Sequence, residues 1–139
     1  MHSRQRGMGM IEVMVAVLIL AIGVLGIAAL QAITLKNTGS SASRTQAAVQ
    51  VYSMMDIIRA DRDNVSAYNT NIYVKGGGKG APGSMEGWLD GLGRTVAPDA
   101  MGLVVCVADT MTCTVGVQWD DTRATGGTAT EHVEVTSQL

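Results

Sequence analysis

The amino terminus of this 139-residue chain carries a long apolar stretch behind a short basic segment. From Val13 to Leu30 every residue is apolar or glycine, and Glu12 is a lone charge at the start of the stretch. About 18 such residues, at a rise of about 1.5 Å each, nearly cross the hydrocarbon core of a bilayer as a helix. The sequence therefore predicts a helix that enters a membrane.

The basic segment predicts the orientation of that helix. A secretory signal peptide has a shorter apolar region, of about 7 to 15 residues, and little reason to carry an acid near its start. By the positive-inside rule, His2, Arg4 and Arg6 should stay in the cytoplasm, so everything after Leu30 is expected to be exported.

Size and charge limit the exported part. Its length predicts one domain behind an anchor. Removal of residues 1–7 takes away two arginines, so the number of Lys and Arg residues falls from 10 to 8. With 12 Asp and Glu residues, the formal side-chain charge is then −4. Nucleic-acid binders usually concentrate basic residues in a patch, whereas these are scattered, so no nucleic acid is expected as a partner.

The two cysteines lie in the exported part. In an oxidising periplasm, Cys106 and Cys113 predict a disulfide across a hairpin, with free buried thiols as the alternative. The pair has neither CxxC redox spacing nor a Cys/His metal set, so no metal site is predicted.

The helix is predicted to continue beyond Leu30 to about Arg62, with a stop at 61–64 and a local bend at Gly39. Its expected buried stripe consists of Leu35, Ala42, Val49, Tyr52, Met55 and Ile58. Its expected water-facing residues are Lys36, Ser40, Arg44, Gln50 and Arg59.

The carboxyl-terminal half predicts a loop and a sheet. The glycine-dense segment 75–94 is predicted to be a loop that contains a short helix at 84–92, capped by Ser84. Its run GGGKG lacks the Gly-Lys-Ser/Thr of a phosphate-binding loop. A mobile surface loop is therefore expected at 75–83. Strands are predicted at 103–107, 114–119 and 132–136, paired antiparallel. The predicted fold class is α+β, a long helix packed on a small antiparallel sheet, with Trp119 against the helix.

No catalytic set can be assembled from these residues. His132 is expected to be a solvated side chain in a strand, and Asp120 and Asp121 are expected to diverge into water. Two adjacent acids also supply too few oxygens for calcium. The sequence predicts neither an enzyme nor a cofactor.

Gly7 and Met8, followed by Glu12, resemble the processing site of type IV prepilins. The resemblance implies that prepilin peptidase cuts after Gly7 and methylates the new amino group of Met8. Because a charge near hydrocarbon costs roughly 2.5 kcal/mol or more, Glu12 is then expected to pair with the Met8 amine of its own or a neighbouring subunit during subunit assembly. The alternative is a glutamate that merely sits at the headgroups.

Three further runs resemble the PilV family of type IV pilus minor pilins. They are MIEVMVAVLILAIGVLGIAALQ from Met10, AAVQVYSMMDIIRADRD from Ala47 and TVGVQWDD from Thr114. Major pilins usually carry a proline about twenty residues into the mature chain, near Ala29 here, and its absence favours a minor subunit.

The resemblance implies a pilin-like fold in four parts: a leader at 1–7, a transmembrane and filament-core helix at 8–30, the exported half of the helix at 31–64, and a periplasmic loop and sheet at 65–139. It implies a single-pass inner-membrane protein that joins other minor pilins, with a tip adhesin as a further partner, and primes pilus assembly at or near the tip. The alternatives are a minor pseudopilin of a type II secretion system and a binding module whose exported face contacts DNA, a surface or a large tip adhesin.

Overall fold

A computed structural model describes residues 9–139 of the chain. Its helices are α1, Met10–Ala60, and α2, Met85–Thr95, with a 3₁₀ helix at Arg62–Tyr68 between them. Its strands are β1, Met101–Val107, β2, Thr112–Trp119, and β3, Glu131–Gln138. The chain divides into two compact units, with the boundary after Leu35.

The first unit consists of the amino-terminal part of α1. By length and composition this helix can cross a membrane, and none of its most apolar window is buried within the protein. Large side chains such as Leu20 and Leu25 are about two-thirds exposed. An apolar surface of this size is stable only in lipid or against other apolar helices.

The second unit holds the rest of α1, which passes through Gly39 without interruption and ends at Ala60. The predicted stop is confirmed. After it the Asp61 N–H donates to the Ile58 carbonyl at 3.1 Å, and the Asp61 carboxylate accepts a bond from the Tyr68 hydroxyl at 2.9 Å. The hydrogen bond from Tyr68 to Asp61 raises the pKa of the tyrosine hydroxyl.

The predicted buried stripe of α1 was wrong for four residues. Leu35, Val49 and Tyr52 are more than half exposed, and Ala42 is exposed as well. The residues that α1 buries in the second unit are Ala47, Val51, Met54, Met55 and Ile58. The apolar periodicity was recognised, but the sheet covers a face of the helix rotated from the predicted one.

The sheet has the order β1-β2-β3, with both pairs antiparallel. The third strand extends from Glu131 to Gln138, a residue or two beyond the predicted 132–136 at each end. Alternate residues of β1 and β2 face inward and join the core, among them Val104, Val115 and Trp119. This α+β, pilin-like arrangement is the predicted fold class.

The short helix α2 closes one side of the core. Ser84 caps it by accepting a bond from the Gly87 N–H at 3.1 Å, as predicted, and the helix buries Trp88, Leu89 and Leu92. The indole N–H of Trp88 donates to the Gln50 carbonyl of α1 at 2.9 Å. This bond fixes α2 to the part of α1 that belongs to the second unit.

Segment 69–74 covers the outer edge of β1. The side-chain amide of Asn69 and the backbone and hydroxyl of Thr70 bond to the strand, and the backbone of Val74 exchanges two bonds with it, of 2.9 and 2.8 Å. The β1 residues that point their backbone groups toward this segment are Gly102, Val104 and Cys106. The edge of β1 is therefore satisfied by the chain itself.

Candidate functional site

The first turn of α1 is organised around Glu12. Gly9 precedes the helix, and its carbonyl accepts from the Glu12 N–H at 2.9 Å. In return, the Glu12 carboxylate accepts from the Gly9 N–H at 3.1 Å. The bond from the Gly9 N–H to the Glu12 side chain is the half of a capping box that the third helical residue supplies; the other half is replaced by the Gly9 carbonyl, because glycine has no side chain. This cap was not predicted from the sequence, since the usual signature has Ser, Thr, Asp or Asn at the position of Gly9.

The charge of Glu12 also suits its position. The first turn of a helix presents unpaired N–H groups and the positive end of the helix dipole, so a carboxylate there is favourable. The Gly9 nitrogen that Glu12 binds belongs to the peptide bond with Met8. Gly7 and Met8, the predicted cleavage and methylation residues, lie outside the described residues.

The cysteines lie opposite each other at the end of the β1–β2 hairpin. Cys106 and Cys113 are register partners and are joined by a disulfide. The backbone of Cys106 bonds outward to the Asn69 side chain, so the two cysteines form a non-hydrogen-bonded pair, in which side chains approach most closely. The turn beyond them uses Met111 at a φ of 50°.

The glycine-rich loop is organised by an acid on α2. The Asp90 carboxylate accepts from the N–H groups of Gly78, at 2.6 Å, and Gly80, at 2.7 Å. The bond from Gly80, followed by that from Gly78, lowers the pKa of Asp90. A Cβ at Gly76 would collide with Asp90 and one at Gly80 with the α2 backbone. The run GGGKG therefore wraps the protein's own carboxylate, an arrangement that was not predicted.

A second set of polar contacts joins α1 to the loop after β2. Ser40 donates to the Asp121 carboxylate, Arg44 pairs with Glu131 at 2.8 Å, and Asn37 accepts from the Thr125 N–H at 3.1 Å. Asp121 is only 6% exposed, so its predicted solvation was wrong. Ser40, which was expected on the water-facing side of α1, is half-buried by this contact.

Among the described residues, the remaining polar side chains do not form a catalytic arrangement. His132 is exposed, with Nδ1 3.3 Å from the Thr130 carbonyl. Asp120 is exposed and accepts from the hydroxyl and the N–H of Thr122, which lower its pKa. Within residues 9–139, no group of three His, Cys, Asp or Glu side chains is placed to hold a metal ion.

Comparison with known proteins bears on the amino terminus. Residues 2–28 match the family described as the prokaryotic N-terminal methylation motif. The matched segment contains Gly7, Met8 and Glu12. The chain matches no curated protein and no solved structure. The amino-terminal segment is thus similar to that of prokaryotic prepilin-type proteins, whose motif specifies N-methylation.

Proposed function

We propose that this chain is a minor pilin of a type IV pilus, cut by prepilin peptidase after Gly7, methylated on Met8, and assembled with other minor pilins. The observation that carries the proposal is the match at residues 2–28 to the prokaryotic N-terminal methylation motif. The capped first turn adds support, because it holds the Glu12 carboxylate one residue from the nitrogen that cleavage would expose.

The proposed role of Glu12 follows from electrostatics. A processed chain has an amine at Met8, and in a low-dielectric environment an amine and a carboxylate within a few ångströms attract strongly. Removing either partner leaves the other unpaired near hydrocarbon, which is costly. The pair, within one subunit or between two, would let the amino terminus enter a bundle of apolar helices.

The apolar part of α1 would serve both as anchor and as packing surface. Its side chains are exposed along the described part of the first unit, so they need lipid before assembly and other helices after it. The second unit would then lie in the periplasm, where its disulfide is stable. In this proposal the chain contributes structure and contacts and performs no catalysis.

The test is deletion of the gene in its native host, followed by complementation. A minor pilin should be needed for normal numbers of surface pili, and the protein should co-purify with pilin-like subunits from mild detergent. If pili are normal and secretion of folded exoproteins fails instead, the chain is a pseudopilin of a secretion system. If neither changes, the assignment to both machines is wrong.

A further inference from the structure

The outer edge of β3 is the part of the sheet that residues 9–139 leave open. Along an edge strand, residues whose backbone N–H and C=O groups point toward the neighbouring strand alternate with residues whose backbone groups point away from it. The β3 residues that point away from β2 are His132, Glu134, Thr136 and Gln138. Within residues 9–139, the backbone groups of His132, Glu134 and Thr136 have no hydrogen-bond partner.

The opposite edge of the sheet is treated differently. There segment 69–74 supplies bonds to each outward-pointing residue of β1, partly through side chains and partly through the Val74 backbone. At the edge of β1, an extended segment of polypeptide thus satisfies the outward-pointing backbone N–H and C=O groups of the strand. No described segment does the same for β3.

The edge of β3 lacks most of the features that normally prevent strand addition. Proteins protect exposed edges with charged side chains, proline, bulges, inward-pointing charges or very short strands. The sequence EHVEVTSQ contains no proline, lysine or glycine, and its eight residues pair with β2 in unbroken register. The inward-facing charge of Glu131 is neutralised by Arg44. The edge is therefore long and regular, and the protection that remains is the acidic side chain of Glu134, which an occupant of opposite charge would overcome.

Charge at the edge favours a basic occupant. Glu134 is exposed, and its carboxylate accepts from the neutral Tyr73 hydroxyl at 2.6 Å. Among the described residues, no cation forms a salt bridge with it. The second unit as a whole carries 8 Lys+Arg against 11 Asp+Glu. A strand with a cation opposite Glu134 would gain a cross-strand pair, whereas an acid there would be repelled.

The sequence of β3 itself disfavours a second copy as the occupant. The strand reads EHVEVTSQ and contains neither lysine nor arginine. A second β3 strand could therefore not place a cation opposite Glu134, whatever its register.

We propose that the outer edge of β3 binds an extended segment of another polypeptide, which adds as a fourth strand antiparallel to β3 and places a lysine or arginine opposite Glu134. Main-chain hydrogen bonds to His132, Glu134 and Thr136 supply the affinity, and the cation supplies part of the specificity. The partner is thus a protein with a free basic strand, and the site is separate from the amino-terminal processing site.

The test uses the full-length protein in detergent and a synthetic eight-residue peptide in which valine alternates with lysine and threonine. Hydrogen exchange is followed at single residues during a peptide titration. At ten times the dissociation constant, the amides of His132, Glu134 and Thr136 should exchange about tenfold more slowly. A matched peptide with glutamate in place of lysine should bind at least several-fold more weakly.

Thr136→Pro and Thr136→Val form the control pair. Both lose the hydroxyl contact with Thr114, which is 2.8 Å in the wild type, but only proline removes the outward N–H. Proline should abolish the protection and valine should keep it, with both variants folded by circular dichroism. If Thr136→Pro does not fold, His132→Pro and His132→Val give the same comparison.

Four results would overturn the proposal. They are absence of protection on β3, protection that survives proline, equal binding of the glutamate peptide, and protection that appears without peptide as protein concentration rises. The last result would identify a second copy as the occupant. None of them affects processing at Gly7, which is measured separately by the mass of the mature chain.

Discussion

The Glu12 carboxylate accepts a hydrogen bond from the backbone N–H of Gly9, 3.1 Å away, at the first turn of α1. Glu12, the lone charge before the apolar stretch, thus also caps the helix that contains this stretch. The two roles, capping and charge pairing, depend on different properties of the side chain. They can therefore be separated by mutation.

Glu12→Ala removes both the cap and the charge, whereas Glu12→Gln keeps an acceptor for the Gly9 N–H and removes only the charge. Both variants should insert and be processed, since losing a charge eases insertion. Both should co-purify less with partner pilins, by about tenfold or more if the pair is worth over about 1.4 kcal/mol. If Glu12→Gln co-purifies like the wild type and Glu12→Ala does not, only the capping role of Glu12 matters for assembly. If both variants co-purify like the wild type, the carboxylate merely lies at the membrane interface.

The disulfide between Cys106 and Cys113 closes a loop of about 8 residues, which removes unfolded-state entropy worth roughly 2 to 3 kcal/mol. Cys106→Ser/Cys113→Ser should therefore unfold at a lower denaturant concentration and accumulate poorly in the cell. Titration of the unfolded, unreduced wild type should find no free thiol. Two reactive thiols would mean that the hairpin is held by its strand pairing and by core packing alone.

The hydrogen bonds from the glycine loop to Asp90 predict a dependence of stability on pH. These bonds lower the pKa of the Asp90 carboxyl in the folded protein, so the ionised carboxylate stabilises the fold at any pH above the pKa of the unfolded chain, about 3.9. This stabilisation is lost as the pH falls through the lower pKa of the folded protein. Asp90→Asn should be less stable at neutral pH and lose less stability on acidification. Urea unfolding between about pH 5 and 3 measures this.

Asp109→Asn is the matched control for Asp90, since no side-chain hydrogen bond of Asp109 is found among residues 9–139. It should leave the acid sensitivity of the protein as in wild type. Faster exchange of the Gly78 and Gly80 amides in Asp90→Asn, and not in the control, would place the effect in the loop. Equal behaviour of both variants would contradict the assigned role.

Gly102 lies where β1 meets α2, and a Cβ there would collide with the ring of Trp88 and with Leu89. Gly102→Ala should destabilise the second unit by about 1 to 3 kcal/mol through overpacking. Gly93→Ala, in α2 with open space around its Cβ, should stabilise it by about 0.5 to 1 kcal/mol. Unfolding in urea compares the two. Equal effects would mean that the contact of β1 with α2 is loose.

Local chemistry made much of the fold predictable. The end of α1, the Ser84 cap of α2 and the three strands depend on residues close in sequence, such as polar helix stops and β-branched runs. Their bounds were less accurate, as β3 illustrates. A short range of residues is enough to indicate each of these elements.

Contacts between distant parts of the chain could not be predicted in the same way. The exposure of Val49 and Tyr52 depends on where the sheet lies against α1, which periodicity does not specify. The burial of Asp121 depends on Ser40, 81 positions earlier, and the loop at 75–83 depends on Asp90. Asp121 was expected to be solvated, and Asp90 was not recognised as a loop-binding residue, because the partners of both acids are brought to them only by the fold.

The most direct test of the central claim is the mass of the mature protein purified from its native host, with Gly7→Val beside Gly9→Ala. Gly9→Ala is the matched control, because the space around Gly9 admits a Cβ. The proposal predicts that the wild type and Gly9→Ala begin at Met8 and carry one methyl group on its nitrogen. Gly7→Val should remain an uncut, membrane-retained precursor. A wild-type chain that keeps residues 1–7, or a Gly7→Val chain of normal mature mass, would contradict the prepilin assignment.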